Sequence, residues 1–305
     1  MHEKEREMQQ PMSSDNQLVI NLLTTLQRDH FSGTAWWHFL VRSWHMSRET
    51  ARNNPVLKRS WFHVTILMSC LFLLICSIVG VFEGPLVLLR LLPGFLFCVA
   101  WQQSDSFWHL GLNRQVQTGK LVPTLGLANI LTGLRGLAAS FLLGRLIGGL
   151  TTPIWLVFAV FLFGVLTDIL DGQVARRTKT QSRLGQIIDG EVDFCLYLAM
   201  SIILVQDAVL PLWLGLVLVL RFCIPIVGAI VSYFLFAHPV RFGSTVWGKC
   251  AGLAQGLYFF VLLAPAQLTF LAHLVSFPLL VALLIFTLAA PIAQIAINIR
   301  VRRDV

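Results

Sequence analysis

Eight apolar runs constrain the fold of this chain more than any other feature of its sequence. They lie at about 62–82, 86–101, 124–144, 153–171, 184–206, 209–236, 248–270 and 276–299. An apolar segment of about 20 residues can cross a bilayer as an α-helix, because a helix satisfies its own backbone hydrogen bonds. Charged residues make up 12% of the 305 residues, against about a quarter in a soluble domain. The sequence therefore predicts an all-α integral membrane protein with several spans.

The part of the chain before the last six runs is an extension with two sections. Residues 1–60 are polar and basic, and their tryptophans stand among arginines, a pattern typical of a cytoplasmic segment with a helix in the membrane interface. Residues 61–120 add two further membrane helices and an interfacial segment. The second of these helices, at 86–101, is short, so it either crosses the bilayer fully or forms a tilted or re-entrant helix. Residues 121–305 hold the last six runs and form the predicted catalytic core.

The connections between the runs differ in positive charge. Lys and Arg are concentrated near 114–120, near 176–183, near 238–249 and in the tail from residue 300, whereas the alternate connections contain only Arg145. Because positive charge marks the cytoplasmic side, we expect both termini and the connection at 176–183 to face the cytoplasm of an inner or plasma membrane. The net charge of +8 then reflects attraction to anionic membrane lipids, and no motif indicates a nucleic-acid partner.

Negative charge in the second half of the chain is gathered into the stretch 168–193, DILDGQVARRTKTQSRLGQIIDGEVD. It holds five of the seven acidic residues that follow residue 121: Asp168, Asp171, Asp189, Glu191 and Asp193. Two of the aspartates are three residues apart and two are four apart, so on helices each pair lies on one face. The polar residues 175–183 between the pairs predict the connection of a helical hairpin. Folding that hairpin brings the two acidic faces together.

Facing carboxylates repel one another unless a cation lies between them. Oxygen ligands at close range suit Mg²⁺ or Mn²⁺, so the stretch predicts a divalent metal site. Intramembrane aspartates also occur in ion- or proton-coupled transporters, and that class is the rival interpretation. A motif that ends in a cytoplasmic hairpin, away from the bilayer midplane, favours the metal site.

The fixed positions in this stretch form a known pattern: Asp-x-x-Asp-Gly-x-x-Ala-Arg, eight residues, then Gly-x-x-x-Asp-x-x-x-Asp. The matching residues are Asp168, Asp171, Gly172, Ala175, Arg176, Gly185, Asp189 and Asp193. The pattern resembles the signature of the CDP-alcohol phosphotransferase family, membrane enzymes that build phospholipid head groups, and it is nearest to phosphatidylglycerophosphate-synthase-like members. The resemblance covers roughly residues 121–300. It implies a six-helix transmembrane core, with the two earlier runs as extra N-terminal helices.

The resemblance also implies roles for individual residues. The four aspartates Asp168, Asp171, Asp189 and Asp193 would hold Mg²⁺ or Mn²⁺, two ions in all, and Asp193 would also accept the proton of the attacking hydroxyl. The nucleotide and lipid donor would contact Asn129, Thr132, Arg135, Gly172, Ala175, Arg176 and Gly185. Small residues on these faces would let a cytidine ring or a pyrophosphate approach the helix backbones, although small residues equally permit tight helix packing.

Two further cations are candidates for binding the acceptor. Arg221 lies inside an apolar run, where an unpaired arginine is costly and therefore a functional candidate. Lys249 opens the stretch GKCAGLAQ, which resembles the Gly-Lys…Gln segment of the fifth core helix in the subfamily. Ala251 and Gly252 stand where that subfamily usually has Lys and Thr, which argues against glycerol 3-phosphate as the acceptor.

The resemblance implies a transferase that moves a phosphatidyl group from CDP-diacylglycerol to the hydroxyl of a small acceptor, such as a phosphorylated polyol, and releases CMP. The alternative within the family transfers a phospho-alcohol from a CDP-linked small alcohol to a lipid. The family also implies a homodimer.

Overall fold

The computed structural model describes residues 23–178, 180–236, 246–264 and 269–303, and the regular secondary structure of these residues is helical, without strands. The nine long helices of the described ranges are α1 Gly33–Asn53, α2 Pro55–Phe82, α3 Pro85–Trp108, α4 Leu127–Ile147, α5 Ile154–Arg177, α6 Arg183–Gln206, α7 Leu212–Phe236, α8 Val246–Leu262 and α9 Thr269–Arg303. Most of the predicted connection at 238–249, the first 22 residues and the last two lie outside the described residues.

The eight predicted runs correspond to α2 through α9. Five helices of the described ranges are long and apolar enough to cross a membrane: α2, α3, α4, α5 and the part of α9 from Leu274 to Ala293. The protein is therefore an all-α, multi-pass membrane protein, as predicted. The uncertain second run forms α3, one continuous helix of 24 residues with Pro93 inside it, long enough at about 36 Å to cross the bilayer.

The helix ends follow local chemistry. Prolines at the first position begin both α2 and α3, where a missing N–H costs nothing. The side chain of Ser182 caps α6 by accepting a hydrogen bond of 3.0 Å from the backbone N–H of Gly185. Helix α5 continues to Arg177, beyond the predicted end of its run at 171, because the residues Gln-Val-Ala-Arg-Arg are compatible with a helix. The connection between α5 and α6 is correspondingly shorter than predicted.

Helices α3 and α4 pack closely where one of them has a glycine. A Cβ atom placed on Gly144 would lie 2.8 Å from the backbone nitrogen of Phe95, and one on Gly94 would lie 2.8 Å from the Cβ of Ile147. Such contacts leave no room for a side chain, and close backbone approach of this kind is typical of helix pairs in membranes. The N-terminal extension is thus in direct contact with the first helix of the predicted core.

An ion pair joins the same two parts of the chain at the end of α4. Nη1 of Arg145 lies 2.8 Å from each of the two carboxylate oxygens of Glu83. Nη2 of Arg145 donates to the carbonyl of Thr151 at 2.6 Å. Arg145 is buried. It is also the one basic residue of the alternate connections, and Glu83 compensates its charge.

Aromatic rings connect the helices behind the acidic stretch. Phe161 of α5, Tyr197 of α6 and Phe259 of α8 lie within 6.0 Å of one another, measured between ring centroids. This cluster belongs to the apolar core. The cluster thus joins α5 and α6, which carry the acidic stretch, to the last turn of α8.

Candidate active site

The four aspartates of the motif converge on one guanidinium group, that of Arg135 on α4. Nη1 lies 2.6 Å from Asp168 Oδ1 and 3.3 Å from Asp171 Oδ2, and Nη2 lies 3.1 Å from Asp189 Oδ1. Nε lies 3.3 Å from Asp193 Oδ1 without hydrogen-bond geometry. The Arg135 side chain is fully buried. Three helices therefore meet at a single buried cation.

Thr132 lies one turn before Arg135 and joins the two acidic faces a second time. Its hydroxyl oxygen lies 3.1 Å from Asp171 Oδ2 and 2.8 Å from Asp189 Oδ1, so it can donate its hydrogen to either carboxylate. It also lies 3.1 Å from the carbonyl of Ala128. The positions Thr132 and Arg135 thus share one face of α4, as their spacing predicts.

The sequence predicted a cation between the acidic faces and assigned the position to a divalent metal. The structure has the guanidinium of Arg135 in that position. The described residues contain no group of three or more His, Cys, Asp or Glu side chains arranged to hold a metal ion. One cation nevertheless faces four carboxylates, so the negative charge of the site is only partly compensated.

The carboxylates themselves suit a metal. The side chains of Asp168, Asp189 and Asp193 are 55%, 40% and 38% exposed, whereas Asp171 is buried. Within the described ranges, each of the three exposed carboxylates contacts Arg135 or Thr132 through one oxygen, and its second oxygen makes no hydrogen bond or ion pair. Free carboxylate oxygens are the donors that Mg²⁺ and Mn²⁺ prefer. The donor set therefore fits such an ion.

The small residues of the motif allow side chains of the protein itself to approach the helices. A Cβ atom on Gly185 would lie 3.1 Å from Asn129 Oδ1, and one on Gly172 would lie 3.2 Å from Arg176 Nη1. Asn129 is thus held against α6, while the exposed Arg176 folds back over its own helix. Ala175 belongs to the last turns of α5, and its carbonyl accepts a hydrogen bond from the N–H of Thr180 at 3.1 Å.

The two acceptor candidates meet at the start of α8. Nη1 of Arg221 donates to Gln255 Oε1, and Nη2 donates to the carbonyl of Gly248 at 3.1 Å. Lys249 is the next residue and is exposed. Arg221 is therefore hydrogen-bonded to two neutral groups, and among the described residues no acidic side chain forms an ion pair with it.

Two residues of this region had no role assigned from sequence. Gln255 is fully buried and holds Arg221, and its Nε2 has no partner within the described part of the chain. Tyr197 follows Asp193 by one turn on α6, and a Cβ atom on Gly256 would lie 3.3 Å from its hydroxyl oxygen. The i, i+4 spacing from Asp193 was the one available signal for Tyr197. Tyr197 therefore lies against α8 at the residue that follows Gln255.

Comparison with known proteins identifies the family of the chain. The sequence model of the CDP-alcohol phosphatidyltransferase family matches residues 125–293, more than half of the chain. The chain belongs to this family. A curated relative, the cardiolipin synthase (CMP-forming) of Streptomyces coelicolor (strain ATCC BAA-471 / A3(2) / M145), is 39% identical over 74 residues, which are 24% of this chain and 34% of the relative. The matched stretch thus spans about a third of that relative. No solved structure is significantly similar to the chain.

Replacing Arg135 tests its central position. We expect Arg135→Met to lower the free energy of unfolding by about 3 kcal/mol, because removal of one partner leaves buried charge uncompensated. Arg176→Met is the matched control, since Arg176 is exposed at the end of α5. The measurement is reversible unfolding of the purified protein in detergent. Equal stability of the two variants would show that the aspartates do not depend on Arg135.

Proposed function

We propose that this protein transfers a phosphatidyl group from CDP-diacylglycerol to the hydroxyl of a small acceptor and releases CMP. Membership of the CDP-alcohol phosphatidyltransferase family makes the protein a membrane transferase of phospholipid synthesis. The observation that carries the finer proposal is the convergence of four motif aspartates on Arg135, with carboxylate oxygens left open to solvent.

The reaction exchanges one phosphorus–oxygen bond for another, so its main electrostatic demand is the charge of the pyrophosphate and of the departing CMP. Mg²⁺ or Mn²⁺ bound by Asp168, Asp171, Asp189 and Asp193 would compensate that charge. Arg135 keeps these carboxylates oriented when their outer oxygens engage a cation. Thr132 orients Asp171 and Asp189 in the same way, through its hydroxyl group.

The donor's nucleotide would bind on the open side of the motif. Arg176 is exposed next to Gly172, and a guanidinium suits a pyrophosphate oxygen pair. Asn129 lies against Gly185 on the opposite helix and offers an amide that can donate and accept hydrogen bonds. Ala175 directly precedes Arg176 on the last turn of α5. Support for this assignment is the match to the family pattern together with the exposure of Arg176.

Asp193 is our candidate for the general base. A base must reach the acceptor hydroxyl and have a free oxygen to accept its proton. The Asp193 side chain is 38% exposed and contacts Arg135 through one oxygen only. Its neighbour one turn on is Tyr197, which belongs to the aromatic cluster near Arg221. The acceptor would thus lie between Asp193 and the cations Arg221 and Lys249.

Two other reactions of the same chemistry are the alternatives. The name of the curated relative favours cardiolipin synthesis with release of CMP, in which the acceptor hydroxyl belongs to a phospholipid. Transfer of a phospho-alcohol from a CDP-linked small alcohol to a lipid is the other. The choice of acceptor distinguishes all three, and the homodimer implied by the family stays a prediction.

Loss of the carboxylates or of the metal tests the reaction. Asp168→Asn and Asp189→Asn should each lower CMP release from CDP-diacylglycerol by at least about a hundredfold, because each removes an anionic donor. A chelator should abolish the activity, and added Mg²⁺ or Mn²⁺ should restore it. Asp207→Asn, at the far end of α6, is the control and should keep full activity. Full CMP release in chelator would be incompatible with this proposal.

The acceptor cations are tested by kinetics. Arg221→Ala and Lys249→Ala should raise the acceptor KM by about ten- to a hundredfold, which corresponds to about 1.4–2.8 kcal/mol of lost binding. Glycerol, glycerol 3-phosphate and phosphatidylglycerol are the acceptors to compare, and affinity for CDP-diacylglycerol alone is the control. Weaker donor binding with an unchanged acceptor KM would assign both cations to the lipid donor.

We further propose that the motif faces the cytoplasm of an inner or plasma membrane, with both termini on the same side. The support is the distribution of Lys and Arg among the connections. Thr178 is exposed in the connection between α5 and α6, so a cysteine placed there, in a chain without its native cysteines, should react with a membrane-impermeant reagent from the cytoplasmic side. Reaction from the outer side of intact cells would reverse the orientation.

A further inference from the structure

Helix α3 belongs to the N-terminal extension, outside residues 125–293 that match the family, yet it contacts the helices that carry the site. The side chain of Gln102 donates a hydrogen bond of 3.2 Å from Nε2 to the carbonyl of Gly136. Gly136 directly follows Arg135 on α4. A side chain of the extension therefore binds the backbone of the residue next to the central cation.

The space around Gly136 explains why this contact is close. A Cβ atom there would lie 2.6 Å from Gln102 Oε1 and 3.1 Å from Cγ2 of Val192. Val192 directly precedes Asp193 on α6. Helices α3, α4 and α6 thus meet at Gly136, where Gln102 of α3 and Val192 of α6 both lie against the α4 backbone.

The same face of α3 continues along α6. Asp105 lies one turn after Gln102 and forms a contact of 3.0 Å with Nδ1 of His109. Both lie beside Glu191, which stands between the last two aspartates of the motif. Burial lowers the pKa of His109, but the hydrogen bond and charge of Asp105 raise it, and the net shift is upward. The charged imidazolium is thereby favoured beside these carboxylates.

The segment after α3 contacts the connection in the middle of the motif. The backbone N–H of Val116 donates to the carbonyl of Gln181 at 3.0 Å, and the N–H of Arg183 donates to the carbonyl of Arg114 at 3.0 Å. These bonds fix the connection between α5 and α6 against the extension. The extension therefore contacts the site region at three places: α4, α6 and the connection between α5 and α6.

We propose that Gln102 is a positioning residue for the transfer reaction. By binding the carbonyl of Gly136 it fixes the backbone of α4, so that the guanidinium of Arg135 faces all four aspartates. The inference rests on the proposed function, because it assigns Gln102 a part in that reaction. A displacement of a catalytic group by about 1 Å can lower a rate about a hundredfold, so one backbone contact at this position is enough to matter.

The chain offers a matched control in the adjacent residue. Gln103 is the same residue type on the same helix, but its Oε1 accepts a hydrogen bond of 3.0 Å from the hydroxyl of Thr65 on α2. Its side chain is directed away from α4. A change at Gln103 therefore alters the same helix in the extension without touching the backbone at Gly136.

The first experiment compares Gln102→Met with Gln103→Met, since methionine keeps the length of the side chain and removes the hydrogen bond. The probe is CDP-diacylglycerol with whichever of glycerol 3-phosphate or phosphatidylglycerol gives CMP with the unaltered protein. We expect Gln102→Met to lower kcat about tenfold with an acceptor KM within about twofold of the unaltered value. Gln103→Met should leave both unchanged.

The outcomes separate the inference from the function on which it rests. Equal kcat values for the two variants would overturn the role of Gln102 alone. Absence of CMP release from the unaltered protein would overturn the proposed function, and the positioning role would fall with it. A Gln102→Met effect on acceptor KM without a change in kcat would also contradict a role that acts through Arg135.

A rescue experiment covers the case in which a variant folds poorly. Gly136→Ala inserts a methyl group against Gln102 Oε1, so it should lower both kcat and the unfolding temperature. Gln102→Ala removes the obstructing group, so the double variant should regain part of the lost unfolding temperature, with Val192 limiting the recovery, while its kcat should stay as low as that of Gln102→Ala alone. Gln103→Ala in the same background should restore nothing. Equal rescue by both second changes would refute the contact on which the inference depends.

Discussion

The contact of one buried guanidinium with four carboxylates is the interaction on which the rest of the site depends. Arg135 comes from α4, two of its partners come from α5 and two from α6. A buried charge is costly unless it is paired, so none of the three helices can shift without exposing an uncompensated charge. The arrangement therefore holds the motif in one geometry. It also leaves carboxylate oxygens on the open side, where the chemistry of the family requires a cation.

The N-terminal extension also packs against the helices that carry this arrangement. Helix α3 packs on α4 through glycine contacts along its length, and an ion pair joins Arg145 of α4 to Glu83 in the turn that precedes α3. At the motif end, Gln102 binds the α4 backbone. Close packing in a membrane relies on such small residues and hydrogen bonds, because lipid provides no hydrophobic force between helices. The α3 helix is therefore better regarded as part of the unit that positions the site.

The helical composition and the positions of the helices were predictable, because apolar runs of this length have one stable form in a bilayer. Their ends were less predictable. The apolar run ends at residue 171, yet α5 continues to Arg177, since polar residues with good helix propensity extend a helix beyond the bilayer. The short second run left open whether its helix crosses the bilayer or re-enters it, and the structure has one continuous helix, α3. The polar residues that follow the run belong to the same helix.

The sequence alone determined that the acidic residues form two helix faces, because spacings of three and four residues have one geometric meaning on a helix. It also placed Thr132 and Arg135 on one face of α4. Only the tertiary structure decided that Arg135 is the cation between those faces, that Arg221 is hydrogen-bonded to Gln255, and that Gln102 reaches Gly136. Each of these contacts joins residues more than 30 positions apart. Periodicity reports which face a side chain is on, whereas the partner of that face depends on how the helices pack.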